Sequence, residues 1–296
     1  MSIHTSRVSP ERATPNPSSL PDQPTRSSAA RGPVLPRLDV QKLKRHLPEC
    51  RRIRIEINGF LAGAPVVVPD AVSEFAIGWA FVHRFYLNSD QITRVSSTAS
   101  YVSLMIDSGV DLDRARYEAI GWVPRQDLEV QATSERSSRP PRAVTVMTEI
   151  DAISTCHRSF ERFELDGARA GYQHVALVTA DDILCIARDV VSEAAAAKVF
   201  GWALPNNVDC TASMLVVRGI LDVLMVESAA RAGIPIVATD AVPTAAAIDA
   251  AEASCTTILG LARSHRRGLF VDGGHLGGDM VASSVNNDLN DIEPDS

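Results

Sequence analysis

Nucleophilic and anion-binding chemistry needs few residue types, and this chain places them sparsely. Its five cysteines, Cys50, Cys156, Cys185, Cys210 and Cys255, lie far apart and form no CxxC. That spacing argues against a disulfide scaffold, and no metal site is expected. Cys156 and His157 are adjacent, so on an extended segment they would point to opposite faces and one ion would seldom take both. Cys185 and Cys255 have apolar surroundings and read as core. His174 sits beside Val175 and Leu177 on a predicted strand, as either a hydrogen-bonded strand histidine or a site residue. Lys198 is the only lysine after Lys44, and a solvated helix lysine is its plain reading. Thr244, beside Pro243 at a helix start, can offer a hydroxyl and backbone N–H groups to a phosphate, or simply begin the helix. Arg263 ends a strand and can pair with a phosphate or a surface carboxylate. No GxGxxG follows a strand, and GxxxxGK[ST], HExxH and PCxxC are absent.

These residues need elements to position them. Ile53, Ile55 and Ile57 alternate with Arg52, Arg54 and Glu56, the period of a half-buried strand. Asn58–Gly59 turns it, and residues 65–69 (PVVVP) read as a return strand. Asp70 or Ser73 can cap a helix running to Tyr86, and two strands follow, Gln91–Ser97 and Tyr101–Asp107. Further on, Gln173–Thr179 and Ile183–Arg188 flank a hairpin turn. A helix over Val190–Ala203 comes next, with Asp189 placed to cap it. Strand Ser213–Val217, helix Leu221–Ala232, strand Ile234–Ala238, a helix from Pro243 to Ala253 and strand Thr256–Leu261 complete the alternation. Residues 273–278 (GGHLGG) read as a flexible exit. The pattern predicts a mixed sheet with parallel neighbours and covering helices, preceded by a smaller β-rich part. Ligands of such sheets sit at the carboxyl ends of the strands.

Composition sets the frame. The chain has 296 residues, 45% hydrophobic and 22% charged, enough for one large domain or two small ones. Residues 1–36 hold seven of the 17 prolines and read as a disordered arm. Residues 37–132 read as the β-rich part with one helix, 133–142 as a linker, 143–278 as the α/β part and 279–296 as an acidic disordered tail. No run approaches the roughly 18 apolar residues of a membrane span. A net charge of −7 argues against nucleic acid as a partner. The cysteine pattern and the lack of a secretory h-region make a reducing cytoplasm the expected location.

Several segments, in one order, resemble the formate dehydrogenase accessory sulfurtransferase (FdhD) family. The family's strand ending in "NG" looks like IEING (Ile55–Gly59), and its "LAxGF" helix like FAIGWAF (Phe75–Phe81). "TGGxHxA" resembles AGYQHVA (Ala170–Ala176), keeping Gly171, His174 and Ala176. "EDVGRHNAxDKxxG" resembles RDVVSEAAAAKVFG (Arg188–Gly201), keeping Asp189, Val190, Lys198 and Gly201. "SGRxSxEMVxKAxxxGIPI" resembles residues 218–236, "SAPTxxA" keeps Pro243 and Thr244, and "TLxGFxR" matches Thr257–Arg263. The departures are equally plain. Residues 51–155 contain no cysteine, so the family's sulfur-carrying "CGxCG" loop is missing. Its Arg-His-Asn becomes Ser192, Glu193 and Ala194, the Ser and Arg of "SGR" become Arg218 and Ile220, and a later Glu becomes Leu224.

The resemblance implies a cytidine-deaminase-like α/β core and a role in formate dehydrogenase maturation. It implies binding of molybdopterin guanine dinucleotide through Gly171, His174, Lys198, Thr244 and Arg263, Lys198 lending its ammonium to the diphosphate. It implies formate dehydrogenase and a cysteine desulfurase as partners, and leaves a homodimer open. Sulfur transfer would need a thiolate nucleophile, for which Cys156, near His157 and Arg158, is the candidate. The alternative is a non-catalytic paralogue of the same fold that binds a nucleotide-like ligand or a protein. Each lost charge-assisted hydrogen bond costs on the order of 1.5–3 kcal/mol, so binding should be about a hundredfold weaker than the full pattern would give.

Overall fold

The computed structural model of the chain describes residues 44, 47–107, 144–166 and 171–278. The predicted arm, linker and acidic tail lie outside the described residues.

The isoleucine alternation forms the expected strand. β1 (Arg51–Arg52) and β2 (Arg54–Ile57) lead through the Asn58–Gly59 turn into β3 (Phe60–Gly63), and β4 (Val66–Val67) pairs with β1. β3 falls before the predicted return strand at 65–69, because the tight turn pairs residue 57 directly with 60. Helix α1 (Val72–Val82) follows, with Ala71, not Asp70 or Ser73, at its N-cap. β5 (Ile92–Thr98) and β6 (Tyr101–Ile106) complete a sheet of order β3-β2-β6-β5.

β7 (Met147–Thr148) and helix α2 (Glu149–Leu165) come next. Cys156 and His157 are therefore helical, not extended. The buried positions of α2 are Ala152, Thr155, Cys156, Ser159, Phe160 and Phe163, one helical stripe. Half of that stripe is small and weakly hydrophobic, which hides the period in the sequence. Thr148 caps the helix by accepting the Asp151 N–H at 3.1 Å.

The main sheet has six strands, with β8 (Gln173–Val178), β9 (Ile183–Asp189), β10 (Met214–Val217), β11 (Ile236–Thr239), β12 (Thr257–Gly260) and β13 (Gly268–Val271) in the order β13-β12-β11-β10-β8-β9. β10, β11 and β12 are parallel; the remaining pairings are antiparallel. Helices α3 (Ser192–Ala203), α4 (Val223–Arg231) and α5 (Ala245–Ser254) form the connections. The last strand, β14 (Leu276–Gly277), pairs with β7. The GGHLGG stretch is thus folded, with the Gly273 N–H donating to Thr257 Oγ1 at 3.0 Å. The fold is the mixed α/β sheet with covering helices that the alternation predicts.

Both faces of the main sheet are covered. Val175, Leu177, Leu215 and Val237 face a core that also holds Ile53, Phe75, Phe81 and Leu104, so the residues before and after the predicted linker share one interior. Ala176, Val178, Met214 and Val216, one step along the same strands, face Cys156, Phe160 and Phe163 of α2. Helices α1 and α3 meet at glycine. A Cβ on Gly78 would lie 1.7 Å from the Ala197 carbonyl oxygen, and one on Gly201 1.7 Å from that of Glu74. No helix among the described residues is long and apolar enough to cross a membrane.

Candidate functional site

The sheet order reverses between β8 and β10. From β8 the chain steps outward to β9, whereas from β10 it steps the other way through β11 and β12. In open α/β sheets the crevice beyond the carboxyl ends of the strands at such a point receives ligands. Here β10, β11 and β12 run out into Arg218–Gly219, Asp240–Pro243 and Leu261–Arg263, and β8 begins at the same end. Gly219 has φ +122, and its N–H donates to the Asp240 carboxylate at 2.9 Å. Thr239 Oγ1 donates to the Gly219 carbonyl at 2.5 Å and accepts the Ala241 N–H, which ties the first two loops together.

The structure brings some of the expected residues to this end and encloses others. Gly171 is exposed, with φ +94 and open space where a side chain would project. Thr244 is the N-cap of α5; its hydroxyl accepts the Ala247 N–H at 3.2 Å and donates to the Leu221 carbonyl at 3.3 Å. Arg263 is 43% exposed and reaches Glu164 Oε1 at 3.1 Å. A second guanidinium, Arg218, reaches the same oxygen at 2.8 Å. Arg218 is the site residue that sequence reasoning missed. It stands where the family pattern has serine, and only the fold shows it converging with Arg263.

His174 is fully buried. Its ring stacks on Phe163 at 5.1 Å, and Nε2 lies 3.3 Å from the Asp166 carbonyl and 3.4 Å from its carboxylate. Burial pulls its pKa below the ordinary histidine value, with Asp166 opposing. Lys198, 2% exposed, is not a solvated helix lysine. Its ammonium donates to the Val68 and Arg188 carbonyls at 3.1 and 2.9 Å, pairs with Asp189 at 2.9 Å and also binds Asp70. Asp189 ends β9 and does not cap α3, whose N-cap is Val191. The Asp189 carboxylate accepts the Val68 and Val190 N–H groups at 3.2 and 2.7 Å. The pair therefore fastens the β4–α1 segment to β9 and α3, and Lys198 presents no unpaired charge to a ligand.

Cys156 has no exposed surface, and burial pushes its thiol up to about 12. At neutral pH it is protonated and enclosed, the opposite of what sulfur transfer needs. Cys185 and Cys210 are pushed up to about 11 by burial. Cys255 is not core; it is exposed at the end of α5, in a left-handed conformation at φ 55. Cys50 is partly exposed; burial and the Asp189 charge raise its pKa, and Lys198 lowers it. An apolar cavity of about 240 Å³ opens between α1, α3 and α4, lined by Phe75, Trp79, His83, Ala194, Phe200 and Leu224 among others. Three of the departures from the family pattern, Glu193, Ala194 and Leu224, thus line one cavity. No cluster of metal-ligating residues occurs among the described residues.

Residues 49–276 match the FdhD/NarQ family as one continuous stretch. The chain belongs to that family. The sulfur carrier protein FdhD of Methanothermobacter thermautotrophicus is 27% identical over 224 residues, covering 74% of this chain and 86% of the relative. That of Anaeromyxobacter dehalogenans is 26% identical over 254 residues, covering 76% and 86%. A crystal structure from Desulfotalea psychrophila, described as a formate dehydrogenase accessory protein, superposes with a TM-score of 0.63 at 19% identity, covering 78% of this chain and 90% of the other. This FdhD/NarQ member therefore keeps the family fold while lacking cysteine throughout residues 51–155.

Proposed function

We propose that this FdhD/NarQ protein is a cytoplasmic accessory factor for formate dehydrogenase maturation that binds the guanine-dinucleotide molybdenum cofactor as cargo. One observation carries the reading. Segments far apart in sequence that follow the family pattern, at Gly171, Thr244 and Arg263, lie at the same switch-point end of the main sheet. The fit to an anionic diphosphate rests on Arg218 and Arg263, two partly exposed guanidiniums sharing one glutamate carboxylate. Lys198 supports this site from within by holding the β4–α1 segment against β9.

Sulfur transfer through Cys156 is not part of the proposal, because its thiol is enclosed and protonated. A cysteine desulfurase supplied with labelled cysteine should leave the same label on wild type and on Cys156→Ser. The binding reading is tested by releasing small molecules from the purified, denatured protein and by calorimetry with GDP. We expect a guanine-containing pterin in the extract and GDP binding of micromolar strength at best, weakened by Arg263→Ala. No heat at millimolar GDP, with nothing released, would leave the protein-binding paralogue as the better account.

A further inference from the structure

Arg218 and Arg263 come from different strand ends and converge on a single oxygen. Arg218 directly follows β10 and Arg263 lies three residues beyond β12, whereas Glu164 stands in the last turn of α2. The Nη1 atoms of the two arginines lie 2.8 and 3.1 Å from Glu164 Oε1. Arg263 is braced over the Phe160 ring at 5.6 Å. Side-chain exposures of 22% for Arg218, 43% for Arg263 and 22% for Glu164 keep the cluster open to solutes. The two guanidiniums share this one carboxylate oxygen. Their planar forks suit a tetrahedral oxyanion, which offers more acceptor oxygens than a carboxylate does.

We propose that Glu164 occupies the place of a phosphoryl group: a phosphorylated ligand docks between Arg218 and Arg263 by displacing the Glu164 carboxylate, and Glu164 sets the affinity by competing for that place. The proposal rests on the nucleotide-cargo reading above and names the group that would hold its phosphate. It also accounts for one departure from the family pattern. The pattern's arginine two residues further on is Ile220 here, 62% exposed and without charge. The same loop presents a guanidinium at Arg218 instead.

The test titrates pyrophosphate, GDP and guanosine into the full chain at low salt, comparing wild type with Glu164→Gln, Glu164→Ala and Arg218→Ala, each checked for a native thermal transition. Removing the competing carboxylate should tighten pyrophosphate and GDP by about tenfold or more in both Glu164 variants. Arg218→Ala should weaken both by about tenfold and leave guanosine unchanged. Binding that becomes measurable only in the Glu164 variants supports the proposal. Equal pyrophosphate affinity in wild type and both Glu164 variants, or no pyrophosphate binding to any of them, overturns it. If GDP binds wild type and responds to Arg263→Ala but to neither Glu164 nor Arg218 substitution, the clamp fails and the cargo reading stands. If GDP binds no tighter than pyrophosphate while the Glu164 effect is present, the clamp stands and the nucleotide reading fails.

Discussion

Replacing Gly78 by alanine sets two physical effects against each other with opposite signs. An alanine in a helix interior is about 1 kcal/mol better than glycine, so propensity alone predicts a more stable protein. The packing predicts the reverse. The new Cβ would stand 1.7 Å from the Ala197 carbonyl oxygen and 2.8 Å from the Gly201 amide nitrogen, where ordinary contact begins at 3.4 Å. Both opposing atoms are backbone, so no rotamer change relieves the overlap, and α1 and α3 must part. Parting them strips dispersion contacts from pairs such as Phe81 and Phe200, whose rings lie 5.8 Å apart. Overpacking of this kind costs typically about 1–3 kcal/mol and more when nothing can yield. We expect a net loss of about 3 kcal/mol, read as a lower urea midpoint by circular dichroism at unchanged slope. Gly201→Ala should behave alike, its Cβ meeting the Glu74 carbonyl oxygen at the same 1.7 Å. The double variant should cost clearly less than the sum, because either methyl alone already separates the same two helices. Wild-type stability or a gain in Gly78→Ala would refute the close-crossing argument.

The buried ion pair and a half-buried histidine supply two more tests. Lys198→Met leaves the fully buried Asp189 without its cation, which should cost about 3–5 kcal/mol; adding Asp189→Asn should recover part of that loss, and a urea midpoint unmoved by Lys198→Met would show that the pair fastens nothing. His83 is held neutral, its pKa pulled from 6.5 down to about 4 by burial and by the nearby Arg231 charge. The folded state therefore takes up its proton later than the unfolded chain does, so the stability from this site is intact above pH 6.5. It falls as the pH drops toward 4, by about 3 kcal/mol in all. His83→Asn should flatten stability between pH 6.5 and 4 relative to wild type, and an unchanged pH profile would contradict the assignment.

How far the sequence speaks depends on where each element's signal resides. β2 is legible because Ile53, Ile55 and Ile57 alternate with charge, and the β8–β9 hairpin because two apolar runs flank a short polar turn. Helix α2 is not, because Thr155, Cys156 and Ser159 fill half its buried stripe. β3 escapes notice because Phe60 and Leu61 are both exposed and follow the turn at once. The site divides in the same way. Thr244 beside Pro243 carries a local capping signal, and the structure uses it as a cap. Lys198 gives no local sign of being enclosed, since Asp70 lies 128 residues away in the chain. Arg218 is equally silent, because its meaning comes from Glu164 and Arg263, two distant elements that only the folded sheet brings together.

The residues that follow the family pattern have one physical feature in common: most of them join parts of the fold. Gly78 and Gly201 let two helices touch at their backbones. Asp189 and Lys198 fasten the segment before α1 to the main sheet. His174 holds Asp166 beyond the end of α2 while its carbonyl accepts the Arg218 N–H at 2.8 Å. Most of the departures fall elsewhere: Ile220 is exposed, Glu193, Ala194 and Leu224 line the apolar cavity, and the missing cysteines belong to a stretch with no thiol at all, whereas Ser192 is buried and Arg218 is ion-paired with Glu164. A joint cannot change without a cost of kilocalories to folding, whereas a solvent-facing polar group can be lost at little cost to stability. The fold is thus the part of the family's character that stability itself protects. Sulfur chemistry has no such protection, and the candidate thiol of Cys156 is enclosed and protonated. The loops at the switch-point end fall between these cases, because they are held by the same hydrogen bonds that close the sheet end. Their geometry is therefore protected with the fold, and it sets Arg218 and Arg263 on one carboxylate oxygen of Glu164.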